Sequence, residues 1–172
     1  MSCFVFMYLM GCFAFICLMD KLNFPNYKFN IKKSDEDLLI FDEVRKKYIV
    51  LTPEEWVRQH LVFYLAQEKK FPQSCMKLEM QLKINTLQRR PDIVVYNNSG
   101  NPIFIAECKA PNIKITQDVF EQIAQYNLIL KVPYLMVSNG LNHYYCKVNF
   151  ETKSITFIED LPNYHDLQKN IS

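Results

Sequence analysis

Asp92, Glu107 and Lys109 are the residues of this 172-residue chain best suited to chemistry. Two carboxylates offer hard oxygen ligands to a divalent cation, and an ammonium beside them can steady negative charge. The acids lie at the ends of two apolar runs, Asp92–Tyr96 and Ile103–Ala106. Both runs are rich in residues that favour strands, and the segment between them, Asn97-Asn98-Ser99-Gly100-Asn101-Pro102, has the composition of a turn. With Asn98 to Asn101 as a four-residue loop, Asp92 opposes Glu107, Val94 opposes Ile105 and Tyr96 opposes Ile103. Opposed residues have Cβ atoms about 4.5–5.5 Å apart, and Lys109, two residues past Glu107, shares its face.

Apart from these charges both faces of the hairpin are apolar, so both should be covered. Two ionised carboxylates side by side in such surroundings repel, and one is driven to hold a proton unless a cation relieves the conflict. Oxygen ligands without a soft partner suit Mg²⁺. The alternative is a buried ion pair of Lys109 with one acid, which leaves the second acid unexplained.

The elements that must position these residues follow from periodicity. Residues 20–51 read as an extended lead-in with short strands at Tyr27–Ile31, Leu38–Asp42 and Lys47–Leu51. A helix is expected from Thr52 to about Lys69, with Thr52 as N-cap, Pro53 at the first position and Glu55 closing a capping box. Met76, Leu78, Met80, Leu82 and Ile84 alternate with polar residues and predict one strand with a wet face, which places Glu79 in solvent. A second helix is predicted from Thr116 to about Leu130, then strands at Pro133–Val137, Asn142–Val148 and Ile155–Ile158 and a weakly structured tail. The order is helix, three-strand meander, helix, strands. That makes an α/β fold with a mixed central sheet flanked by helices.

Composition sets bounds. Half the chain is hydrophobic and 14% is aromatic, which excludes general disorder. A net charge of +2 does not announce nucleic-acid binding, so any such contact must come from clusters such as Lys83 with Arg89-Arg90, or Arg45-Lys46-Lys47. The six cysteines form no CxxC pair and read as free thiols in a reducing compartment. His60, His143 and His165 show no ligand spacing. Residues 1–19 are a hydrophobic extension, uncharged from Cys3 to Met19. Translation starting at Met19 would make it an artefact, and a membrane anchor or a cleaved signal are the other readings.

The chain resembles the PD-(D/E)xK nucleases, and within them the N-terminal nuclease domain of type I restriction enzyme R subunits. Pro91-Asp92, Glu107-Cys108-Lys109 and Gln122-Ile123-Ala124-Gln125-Tyr126 carry the resemblance, which extends over residues 20–165 and leaves 166–172 as a tail. It implies a restriction-endonuclease-like core and a Mg²⁺-dependent endonuclease that hydrolyses DNA phosphodiester bonds, with Mn²⁺ as a substitute. It implies that Asp92, Glu107 and the Cys108 backbone carbonyl hold the metal, and that Lys109 is catalytic. Gln122 and Tyr126, one helical turn apart, would position substrate or Lys109. Some relatives carry an extra glutamate in the first helix, for which Glu55 is the candidate; Glu79, on the wet face of its strand, is a more remote candidate for reaching the metal.

R subunits join this domain to a helicase motor. Gly11, Gly100 and Gly140 are the only glycines, and there is no GxxxxGK[ST] loop. Either a separate helicase, translocase or restriction-system subunit is the expected partner that recruits it, or it is a stand-alone nuclease with its own targeting; dimerisation is a route to cutting both strands. Cytoplasmic residence is expected unless residues 1–19 anchor the chain. The alternative function is a nuclease-fold module that binds nucleic acid or assembles with a motor while cutting weakly or not at all.

Overall fold

Residues 19–35, 37–84 and 87–169 are described by a computed structural model. Ahead of the first helix, strands β1 (Ile31–Ser34), β2 (Asp37–Asp42) and β3 (Lys47–Val50) form an antiparallel sheet of their own. The lead-in thus holds three strands, but the first lies later than the expected Tyr27–Ile31. Tyr27 and Phe29 instead lay their rings against Phe63 and His60, at centroid separations of 4.6–6.0 Å.

Helix α1 (Pro53–Gln67) starts as the sequence predicts. Thr52 Oγ1 accepts the Glu55 backbone N–H at 3.1 Å, and Pro53 occupies the first turn. The reciprocal half of the capping box is not made, because the Glu55 side chain is engaged by Arg45, Arg58 and Gln59.

The alternating run from Met76 does not make one strand. β4 (Met76–Leu78) ends where Glu79 takes a left-handed φ of 48°, and β5 (Leu82–Ile84) pairs with β6 (Leu87–Arg89) as a separate two-stranded ribbon. A residue with positive φ cannot continue a strand, so period-two hydrophobicity was matched by two elements rather than one.

The main sheet has the order β11 (Ser154–Ile158), β10 (His143–Asn149), β9 (Tyr134–Ser138), β8 (Pro102–Cys108), β7 (Ile93–Tyr96) and β4. Its centre is the hairpin of β7 and β8. Ile93 faces Ala106, Val94 faces Ile105 and Val95 faces Phe104, the predicted register, but a bulge after Val95 sets Tyr96 against Pro102 rather than Ile103. Asn97 closes the turn, accepting the Ser99 and Asn101 backbone N–H groups at 3.0 and 2.8 Å. Helix α2 (Gln117–Leu130) supplies the crossover to β9, which lies parallel to β8. β10 and β11 complete the sheet as antiparallel neighbours.

Alternation along β8 divides the core. Phe104, Ala106 and Cys108 pack with Val57, Leu61 and Leu65 of α1, whereas Ile105 packs with Val119, Ile123 and Tyr126 of α2. The sheet is therefore covered on both faces. In place of a weakly structured tail, α3 (Tyr164–Lys169) buries Leu167 in the α1-side core. Burial of a leucine outweighs the short helix's low intrinsic stability. Among the described residues no helix is long and apolar enough to cross a membrane, and residues 1–18 of the extension lie outside them. Cys75, Cys108 and Cys146 are free thiols.

Candidate active site

The hairpin register carries Asp92 and Glu107 to the same end of the sheet, one just before β7 and the other one residue from the end of β8. Asp92 is 6% exposed and Glu107 4%. Each is held by a different helix. Asp92 Oδ1 accepts from Arg58 Nη2 at 2.7 Å and Nε at 3.2 Å, and Oδ2 accepts the Cys108 backbone N–H at 2.6 Å. Glu107 Oε1 accepts from Lys109 Nζ at 2.8 Å and from Gln122 Nε2 at 2.5 Å. Its other oxygen, Oε2, is buried and has no hydrogen-bond partner among the described residues.

Burial pushes the Glu107 carboxyl up to about 7, and the nearby Asp92 charge adds to this against the lowering pull of Lys109. This is the conflict of two acids anticipated from the sequence. Burial works to lower the Lys109 pKa, but the Glu107 hydrogen bond and the charges of Glu107, Asp92 and Glu54 outweigh it, so the ammonium is held protonated.

Gln122 and Tyr126 do meet this group. Lys109 Nζ donates to Gln122 Oε1 at 3.1 Å, and Gln122 Nε2 also reaches Tyr126 Oη at 2.7 Å. Tyr126 is at the same time a core residue, 2% exposed. The four-residue spacing of Gln122 and Tyr126 on α2 turns both toward β8, which brings them to Glu107. The Cys108 thiol faces the opposite core, as alternation requires, and burial raises its pKa well above the ordinary value.

The remaining candidates, Glu55 and Glu79, belong to a network the sequence did not reveal. Arg58, 5% exposed, gives Nη1 to Glu55 Oε2, Nη2 to Glu54 Oε1 at 3.1 Å, and approaches Glu79 at 3.9 Å. Arg45, from the turn between β2 and β3, reaches Glu55 Oε1 at 3.2 Å and pairs with Glu79 Oε2. Asp42, fully buried at 0% exposure, steers Arg45 by accepting its Nε at 2.6 Å and its backbone N–H at 2.7 Å. Glu79 is thus ion-paired, with 34% of its side chain still exposed. The first-helix acid whose charge is felt at Glu107 and Lys109 is Glu54, whose own pKa is raised by burial and by Asp92. The four-residue spacings Glu54–Arg58 and Glu55–Gln59 were the available signal, since such pairs share a helix face.

Among the described residues no three His, Cys, Asp or Glu side chains gather closely enough to hold a metal. A cation here would therefore take two carboxylates and complete its shell with backbone oxygen, water and ligand. The donor set fits such an ion. It is all oxygen, and Glu107 Oε2 is a buried acceptor with no hydrogen-bond partner among the described residues.

No curated protein matches the sequence. One solved structure, a fragment described as an HsdR subunit of a type I restriction enzyme from Vibrio vulnificus YJ016, is similar at a TM-score of 0.51 and 17% identity. The match covers 70% of this chain and 25% of that one, so the chain spans a quarter of the length of that relative. A second, described as a nuclease of DUF820 from Anabaena variabilis ATCC 29413, is a looser likeness at a TM-score of 0.45 and 12% identity, covering 78% of this chain and 86% of that one. Residues 53–162, from the start of α1 to beyond the last sheet strand, match the family described as type I restriction enzyme R protein N terminus (HSDR_N). With that match over more than half its length, the chain belongs to the N-terminal domain family of type I restriction enzyme R proteins.

Proposed function

We propose that this chain is a Mg²⁺-dependent endonuclease domain that hydrolyses DNA phosphodiester bonds. The observation that carries the reading is the buried, unpartnered Glu107 Oε2 beside Asp92, with Lys109 and Gln122 fixed on the other Glu107 oxygen. Asp92, Glu107 and the Cys108 backbone carbonyl would hold Mg²⁺, or Mn²⁺ in its place. When bound, the ion supplies Lewis acidity to a phosphodiester oxygen and lowers the pKa of an attacking water. Lys109 Nζ, tethered to both Glu107 and Gln122, orients that water and stabilises the charge that develops on the phosphate. Gln122 keeps Lys109 from collapsing onto Glu107 alone, and Tyr126 braces Gln122. Arg58 holds Asp92 in orientation without touching the reacting atoms.

DNA is accordingly the proposed substrate and the reducing cytoplasm the proposed compartment, where free thiols persist. A helicase or other restriction-system subunit would bring the domain to its target. The test is incubation of the protein with plasmid and with single-stranded DNA in Mg²⁺ or Mn²⁺. Cutting should vanish with EDTA and in Asp92→Ala. DNA binding without cutting under every condition would instead make the chain a non-catalytic module.

A further inference from the structure

The matched family segment begins at Pro53, so the β1–β3 sheet lies ahead of it. That sheet nonetheless sends a side chain into the charge network around Asp92. The Asp42 carboxylate accepts the backbone N–H groups of Val44 and Arg45 at 2.8 and 2.7 Å, and Lys46 turns the chain with a φ of 52°. Asp42 also accepts Arg45 Nε at 2.6 Å and Gln59 Nε2 at 3.0 Å, which fastens the turn to α1 and aims the guanidinium. A fully buried aspartate with four donors is a built device for placing one arginine.

We propose that Arg45 is a positioning residue for Asp92, and that the N-terminal sheet is thereby a working part of the site. The proposal rests on the reading of Asp92 as a metal ligand. Arg45 does not touch Asp92. It satisfies Glu55 at 3.2 Å and Glu79, both of which also face Arg58. Arg58 has five donors in a fixed plane and divides them among Glu54, Glu55 and Asp92. With Arg45 in place, Arg58 keeps its Nε and Nη2 on Asp92. Without it, Glu55 and Glu79 compete for the same guanidinium, and the fork turns away from Asp92. Asp92 then keeps only the Cys108 backbone N–H and loses the orientation a metal ligand needs.

The full chain tests this with Arg45→Met, Arg45→Lys, Asp92→Asn and the double variants. In EDTA, the loss of melting temperature in Arg45→Met/Asp92→Asn should be clearly smaller than the sum of the single losses, because each removes the benefit of the same Arg58 arrangement. Additive losses would overturn the proposal. Should Arg45→Met not fold, the cycle built on Arg45→Lys decides, since one ammonium cannot span both glutamates. Titration with Mn²⁺ is the second readout. The dissociation constant should rise roughly tenfold to a hundredfold in Arg45→Met, the scale expected when a ligand loses its outer support. Loss of positive charge alone would draw a cation in more tightly, so unchanged or tighter binding contradicts positioning. Lys46→Met, on the same turn but paired with Glu43 at the surface, should leave both readouts unchanged. If the wild-type protein takes up no Mn²⁺, the metal reading of Asp92 falls, while the metal-free cycle still decides the role of Arg45.

Discussion

Glu107 concentrates the site's energetics in one side chain. Its carboxyl is pushed up to about 7 by burial first and the Asp92 charge second. The folded protein therefore binds a proton at Glu107 more tightly than the unfolded chain, whose carboxyl titrates at the ordinary 4.5. Below that value both states are protonated and the group is neutral to stability. As pH rises toward 7 the unfolded state releases its proton first, so stability falls across this window and then levels off. Keeping a buried carboxylate ionised at pH 8 costs at most about 3 kcal/mol by this route. Glu107→Gln should accordingly raise metal-free stability at pH 8 by a sizeable part of that amount and change little at pH 4. Chemical unfolding in EDTA at both pH values measures it, and a uniform loss would show that Glu107 is an ordinary structural acid. A group that strains the metal-free fold is what a cation-binding site looks like without its cation.

At the scale of elements, the sequence was readable where a local signal agreed with the final packing. Thr52-Pro53 begins α1, and the capping bond from Glu55 N to Thr52 Oγ1 forms at 3.1 Å. Thr52→Ala should cost about 1 kcal/mol in global stability, seen as a shift in denaturant midpoint with unchanged slope. The β7–β8 register was legible because two apolar faces and one turn admit few pairings, and Gln122 with Tyr126 was legible from helical spacing together with the family resemblance. What could not be read depends on contacts far apart in sequence. Glu79 lies in an alternating run and looks solvated until Arg45, 34 residues earlier, is known to reach it. Glu55 fits a capping box locally, yet its carboxylate answers to Arg58 and Arg45. Arg58 itself resembles a surface helix residue, and only the fold shows that it is buried against Asp92.

For the whole molecule, two cores clamp one sheet, and the site sits where both helices reach the same sheet end. α1 brings Arg58 to Asp92 from one face, and α2 brings Gln122 to Glu107 from the other. The geometry of the acids thus depends on packing that extends to α3. Leu167 of α3 is fully buried in the α1-side core, the cluster that also holds Leu61 and Phe104. Leu167→Ala should destabilise the protein by about 2–5 kcal/mol, measured by thermal or denaturant unfolding. A change below about 0.5 kcal/mol would show that α3 is not an integral part of the domain.

The central claim is that Asp92 and Glu107 grip one divalent cation beside Lys109. Crystals soaked in Mn²⁺ and measured at the manganese absorption edge test it most directly. The account predicts a single strong anomalous peak with oxygens of both carboxylates at about 2.1 Å, and Lys109 close by but not coordinating. A protein that shows no peak there, or one that leaves Glu107 Oε2 without a ligand, contradicts it.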